Sequence, residues 1–257
     1  MTEKKRVKGF GLIIIGTEIL DGRGRDSHFE NTRRILKARN QSLIYVKILA
    51  DDPGLIHDSL KWAMERPAPF FSFGGIGSTP DDHTRKSAAE AAGLPLEYHP
   101  EGIKILEERF GKEINDSRRK MVEFPKGAVL IPNPVNRIPG FSLAEGHFLP
   151  GFPSMAGPMT EWVLDRYYLP GEERIARSII LPGAREAELV SMMEAFIDRH
   201  PGLAFSSLPR FAKKGTEVRL GIEGRPEEVE AGYRDLIDRV EAMDLSWEKA
   251  EDRGENR

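Results

Sequence analysis

Apolar and polar positions along the first two thirds of the chain fall into alternating strand-like and helix-like blocks. Phe10 to Ile15 is a short continuous apolar run closed by Gly16, as expected of a buried parallel strand. A charged, glycine-rich stretch from Asp21 to Asp26 follows. From Ser27 to about Asn40 the spacing turns helical, with Phe29, Thr32 and Leu36 on one face. Leu43 to Leu49 alternates and is β-branched, which predicts a second strand. Asp51-Asp52-Pro53 opens a helix whose stripe is Ile56, Leu60, Ala63 and Met64; acids and a proline suit the free amides of a first turn. Pro69 to Phe73 predicts a third strand, running into a glycine-rich loop and a helix from about Asp81 to Ala92. Another helix covers Glu101 to Lys112, with Ile103, Leu106 and Phe110 in register, and Ala128 to Ile131 and His147 to Leu149 read as strands. Strands alternating with helices imply βαβ units and a mainly parallel sheet with helices on both faces.

The pattern changes after Tyr167-Tyr168-Leu169-Pro170-Gly171. A strand (Ile175 to Leu181), a helix (Arg185 to Arg199), two strands (Leu203 to Leu208 and Thr216 to Ile222) and a helix (Pro226 to Ala242) follow. This βαββα order predicts a small α+β domain of KH-like or ferredoxin-like character. The expected division is an α/β domain over 1–170, the small domain over 171–247, and a polar tail over 248–257 that frays.

Composition narrows the chemistry. The chain has 257 residues, 39% of them apolar and 31% charged, which suits a globular protein rather than a disordered one. A net charge of −3 gives no reason to expect nucleic acid or an anionic membrane as partner. Without cysteine, thiolate nucleophiles and zinc–thiolate sites are excluded, so a metal would need oxygen or histidine ligands: Mg²⁺, Mn²⁺ or Co²⁺. The histidines show no metal-ligand spacing. No apolar run approaches a signal peptide or a membrane span, and the expected compartment is the cytoplasm.

The chemistry concentrates in the loop after the third strand, Gly74-Gly75-Ile76-Gly77-Ser78-Thr79-Pro80-Asp81-Asp82. Gly74, Gly75 and Gly77 let the backbone turn sharply and approach a ligand. Ser78 and Thr79 add hydroxyls, and a helix N-terminus just beyond would favour phosphate. Asp81 and Asp82 would repel an anion unless a divalent cation lay between; alternatively they only cap the helix. Gly16-Thr17-Glu18 after the first strand and Asp51-Asp52 after the second reach the same sheet edge, where open parallel sheets bind ligands.

Taken together these segments resemble a known family. Gly16-Thr17-Glu18-Ile19-Leu20, Gly22 to Asp26, Asp51-Asp52, Gly74 to Thr84, Pro132-Asn133-Pro134 with Pro139-Gly140-Phe141, and Leu149-Pro150-Gly151-Phe152-Pro153 are similar, in order over about residues 9–168, to the molybdopterin-binding (MoaB/Mog-like) domain in its CinA N-terminal form. The βαββα segment, with Leu208-Pro209-Arg210, resembles the small domain that follows in CinA proteins. The chain departs from the family pattern at Ser78 (usually Pro), at His28 (usually Asn), at Asn136-Arg137-Ile138 (usually small and uncharged) and at Met155-Ala156 (usually Glu-Met).

The resemblance implies a three-layer α/β/α sandwich with a pocket for a phosphate-bearing pterin or nucleotide. It implies either metal-dependent hydrolysis of an ADP-ribose-like or FAD-like pyrophosphate, or binding or adenylylation of molybdopterin. In the family pattern the important acids map onto Asp51 and Asp82, with Asp82, and Asp81 beside it, toward a metal. Gly16, Thr17, Glu18, Asp26, Gly74, Gly75, Gly77, Ser78, Thr79, Pro139 and Gly140 would line the ligand, and His28 and Arg137 would face it. The family's deamidase domain is not expected in this chain. A homodimer or trimer is expected by analogy.

Overall fold

The computed structural model describes residues 3–212 and 215–250. The chain divides into two compact units, residues 1–171 and 172–257.

In the first unit, β1 (Phe10–Ile15), β2 (Leu43–Leu49), β3 (Phe70–Phe73), β6 (Val129–Ile131), β7 (Gly140–Leu143) and β8 (Gly146–Leu149) form one sheet in the order β2-β1-β3-β8-β7-β6. The pairs β2/β1, β1/β3 and β3/β8 are parallel; β8/β7 and β7/β6 are antiparallel. The sheet is therefore mixed and mostly parallel. A separate antiparallel pair joins β4 (Leu96–Tyr98) to β5 (Glu123–Pro125).

Strand β1 is fully buried, so its alternate residues serve two cores. Ile13 and Ile15 pack with Ile56 and Leu60 of α3 (Pro53–Met64), Ala88 of α4 (Thr84–Ala92) and Leu106 of α5 (Pro100–Phe110). Phe10, Leu12 and Ile14 pack on the other face with Ile35 and Leu36 of α2 (His28–Lys37) and Met159 and Val163 of α7 (Pro153–Tyr167). Helix–sheet–helix layering follows directly. Each fully buried Ile or Phe contributes about 1.5–3 kcal/mol relative to exposure, so β1, second in the sheet beside β2, stabilises both cores at once. Two short helices, α1 (Thr17–Leu20) and α6 (Asp116–Lys120), sit in connections.

Three features differ from the sequence reading. Residues 153–167 form a helix of 15 residues in a stretch to which the sequence pattern assigned no element. Strands β4, β5 and β7 had no clear alternation. Helix α4 begins at Thr84, not Asp81, so Asp81 and Asp82 lie in the loop before it.

In the second unit, β9 (Ile175–Pro182), β10 (Ala204–Ala212), β11 (Gly215–Gly224) and β12 (Glu248–Lys249) form an antiparallel sheet in the order β10-β11-β9-β12. It packs against α8 (Glu186–Arg199) and α9 (Pro226–Ala242) through Leu189, Phe196, Val229, Leu236 and Val240. The expected βαββα order is followed by one more edge strand: Glu248 and Lys249 pair with β9, and Ala250 donates to Ser178 O at 3.1 Å. The rest of the predicted tail, residues 251–257, lies outside the described residues.

Candidate functional site

Register fixes which loops meet. Ile15 lies opposite Leu49, Ile14 opposite Phe73, and Phe73 opposite Leu149. Ile131 lies opposite Gly140, at the same end of the sheet. The segments after β1, β2, β3 and β8 and the β6–β7 connection therefore converge on one edge. Gly74 N donates to Leu149 O at 3.1 Å and Gly16 N to Leu49 O at 3.0 Å, tying the loops to their neighbours.

The glycine loop is held from below by the first two residues of α4. Thr84 Oγ1 donates to Gly74 O at 3.0 Å, Thr84 N donates to Gly75 O at 3.0 Å, and Arg85 Nη2 donates to Gly77 O at 2.5 Å. A trans peptide is planar, with its N–H opposite its C=O. No cis peptide occurs among the described residues. Pulling these three carbonyls inward therefore turns the following N–H groups, of Gly75, Ile76 and Ser78, outward. Outward-turned amides on a loop at a helix start make an anion-binding concavity. Gly74 and Gly75 hold φ of +97° and +67°, and a Cβ on Gly75 would overlap Thr84 Oγ1. Only glycine meets both conditions.

Asp82 closes the loop from the other side. Its Oδ1 accepts from Gly77 N at 2.8 Å; its Oδ2 accepts from Thr79 N at 2.7 Å and Thr79 Oγ1 at 2.5 Å. The helix-cap alternative for Asp82 is thus replaced by a cap on the loop itself. Asp81 is exposed. Asp51 is likewise engaged: its Oδ2 accepts from Thr17 N at 2.8 Å and Thr17 Oγ1 at 2.9 Å, and Asp51 N donates to Thr17 Oγ1 at 2.9 Å. Asp52 caps α3 by accepting from Leu55 N at 2.8 Å. Glu18 packs against Gly16 and Gly24.

Other predicted residues make contacts within the fold. Asp26 caps the start of α2, its Oδ1 accepting from His28 N at 2.8 Å and its Oδ2 from Phe29 N at 3.1 Å. His28 is turned into the fold. It is 6% exposed, stacks on Phe73 at 4.5 Å and has Nε2 3.0 Å from Gly151 O. Burial pushes its pKa below the ordinary value. Arg137, at φ +64°, is exposed and pairs with Glu108 at 3.5 Å. Pro139 and Gly140 stand at the start of β7, where a Cβ on Gly140 would overlap Phe148 O.

Two residues to which the sequence assigned no role of their own organise the site: Thr84, at the end of the glycine-loop motif, and Arg85. Arg85 is only 7% exposed, Nη1 reaches Glu123 O at 3.3 Å, and Nε has no partner. A cation within the small-residue face Thr84, Ser87, Ala88 and Ala89 was the available signal.

Comparison with known proteins matches residues 11–170 to the family described as "Probable molybdopterin binding domain". The chain belongs to this molybdopterin-binding domain family. A relative from Caldivirga maquilingensis, called only "Protein", is 28% identical over 90% of this chain and 96% of its own. A CinA-like protein of Sulfurihydrogenibium is 29% identical over 81% of this chain and 52% of its own, and one of Nostoc punctiforme 28% identical over 90% and 57%. The chain thus spans about half the length of these CinA-like relatives. The crystal structure of the protein CinA with unknown function from Thermoplasma acidophilum overlays with a TM-score of 0.56 at 24% identity, over 62% of this chain and 98% of that one, and supports the fold. The whole predicted edge, from Gly16 to Gly151, lies inside the family domain. Among the described residues no helix is long and apolar enough to cross a membrane.

Proposed function

We propose that this family member binds the pyrophosphate of a dinucleotide such as ADP-ribose or FAD at the glycine-loop edge and hydrolyses it with a divalent metal ion. The observation that carries the reading is the set of three inward carbonyls on Gly74, Gly75 and Gly77, which turns the amides of Gly75, Ile76 and Ser78 toward the site.

The donor set fits a hard cation only in part. Among the described residues no group of three His, Cys, Asp or Glu could hold a metal ion. Asp81 and Asp82 together with hydroxyls are oxygen donors, and Mg²⁺ commonly takes one or two carboxylates and completes its shell with phosphate and water. Asp81 is the freer of the two, because both Asp82 oxygens already accept from the loop. When bound, such an ion would polarise a phosphorus–oxygen bond and lower the pKa of an attacking water. The residues of the chain orient the phosphate: loop amides hold its oxygens, while Asp51 fixes Thr17 at the neighbouring strand end.

The test is release of AMP from ADP-ribose and FAD by purified protein with Mg²⁺, Mn²⁺ or Co²⁺, comparing Asp81→Asn with Asp82→Asn. Turnover reduced about tenfold or more in Asp81→Asn with unchanged thermal stability supports a ligand role for Asp81. Absence of turnover with every metal overturns the hydrolase. A second reading, retention of molybdopterin without turnover, is favoured by the family match over 11–170; pterin fluorescence in the purified protein tests it.

A further inference from the structure

The two acids at 81 and 82 pose an electrostatic problem for any phosphate in this loop. A divalent ion between acid and phosphate would remove the repulsion. The structure contains another cation: Arg85, buried directly beneath the loop, with one guanidinium nitrogen on Gly77 O and Nε unpartnered.

We propose that Arg85 makes the glycine loop a metal-independent phosphate subsite, so that the divalent ion is needed for hydrolysis but not for binding. This rests on the phosphate reading above. Two effects combine in one side chain. Its hydrogen bond to Gly77 O fixes the peptide whose N–H, on Ser78, points at the ligand. Its charge, which arginine does not lose in proteins, stands in a poorly solvated position where screening is weak. Asp82 is close to it but accepts three hydrogen bonds from the loop, which spread its charge into that loop. Arg85 therefore offsets Asp82, leaving the exposed Asp81, which only Thr79 meets through a side-chain hydrogen bond, as the loop acid more open to a cation. Arg85 contacts no reacting atom; it is a positioning residue. The recognised group is a phosphate or diphosphate.

The experiment is titration calorimetry of the full chain with inorganic pyrophosphate and with ADP, in excess EDTA and in excess Mg²⁺, for wild type, Arg85→Lys and Arg85→Gln. Wild type is expected to bind in EDTA within about threefold of its affinity in Mg²⁺. Arg85→Gln should bind about tenfold or more weakly in EDTA and recover in part with Mg²⁺, and Arg85→Lys, keeping a charge able to reach Gly77 O, should fall between. In wild type the Ser78 amide proton resonance should move downfield on pyrophosphate addition; in Arg85→Gln it should not. A merely structural role would lower the melting temperature without moving the EDTA/Mg²⁺ ratio. Binding by wild type only in Mg²⁺ overturns the inference with no variant needed, even if Arg85→Gln fails to fold. Metal-free binding unchanged in folded Arg85→Gln also overturns it. Failure of wild type to bind either probe with or without metal instead overturns the phosphate reading itself.

Discussion

At the scale of single residues, the site is built from backbone groups whose directions are set by side chains below them. Thr84 holds two carbonyls, one through its hydroxyl and one through its amide. Gly75 is the residue that lets it do so. In Gly75→Ala a methyl group would meet Thr84 Oγ1 at a backbone φ of +67°. The expected cost is about 1–3 kcal/mol of stability, read by urea unfolding, with loss of phosphate binding. A second residue-scale prediction concerns His147, on β8 away from the glycine edge. It is 3% exposed, with Nδ1 2.8 Å from Ser142 Oγ and Nε2 2.7 Å from Tyr168 OH. Burial, with a smaller contribution from Lys5, holds its pKa down at about 3. An unfolded histidine titrates near about 6.5, so protons bind the unfolded chain more tightly. The contribution of neutral His147 is therefore complete above about pH 6.5 and is lost as pH falls toward 3, by at most about 1.4 kcal/mol per pH unit. Unfolding free energies measured at pH 7 and pH 5 should differ more in wild type than in His147→Gln; equal slopes would show that the ring is accessible to protons in the folded protein.

At the scale of elements, the shortest strand among the described residues is β12. Its two residues extend the sheet past Ile179 and Ile180, and Ala250, 4% exposed, anchors it to Ser178. A chain ending at Trp247 should lose about 1–2 kcal/mol in the second unit relative to one ending at Ala250, from lost strand hydrogen bonds and an uncovered β9 edge. Calorimetric melting of the two truncations measures this; identical melts would make β12 dispensable. The difficulty of reading β12 from sequence has the same cause as that of α7. Glu248-Lys249 carries no periodicity, and its pairing comes from the β9 edge beside it. In α7, Pro153 occupies the first turn, where its missing N–H costs nothing, but Pro158 lies inside the helix. Packing of Met159 and Val163 against β1 overrides that local penalty. By contrast β1, β2 and α9 were legible to the residue, because a continuous apolar run closed by Gly16, a period-two alternation, and helical patterning with Pro226 at the helix start state their own boundaries. The location of the glycine loop was legible too. The role of Asp82 was not, because its partners Gly77 and Thr79 become neighbours only once the loop folds back on itself, and for Arg85 the small residues around it in α4 were the one signal of burial.

At the scale of the whole molecule, each unit has its own hydrophobic core. Ile13 and Phe10 belong to the first, and Leu220 and Phe196 to the second. A domain with a separate core can fold separately. Every residue assigned to the phosphate edge, from Gly16 to Gly151, falls within the first unit and within the stretch matched to the family. Position in the chain and construction of the site therefore agree: binding should be a property of residues 1–171 alone. Expressed by itself, that segment is expected to melt cooperatively and to bind pyrophosphate within about twofold of the full chain. Hydrolysis can be compared in the same preparation. If binding is kept while turnover of ADP-ribose falls, the second unit supplies something needed for the chemical step rather than for recognition. If binding itself disappears from a segment whose circular dichroism shows it folded, the phosphate edge is not self-sufficient. The inward carbonyls of Gly74, Gly75 and Gly77 would then be a scaffold completed by the rest of the chain.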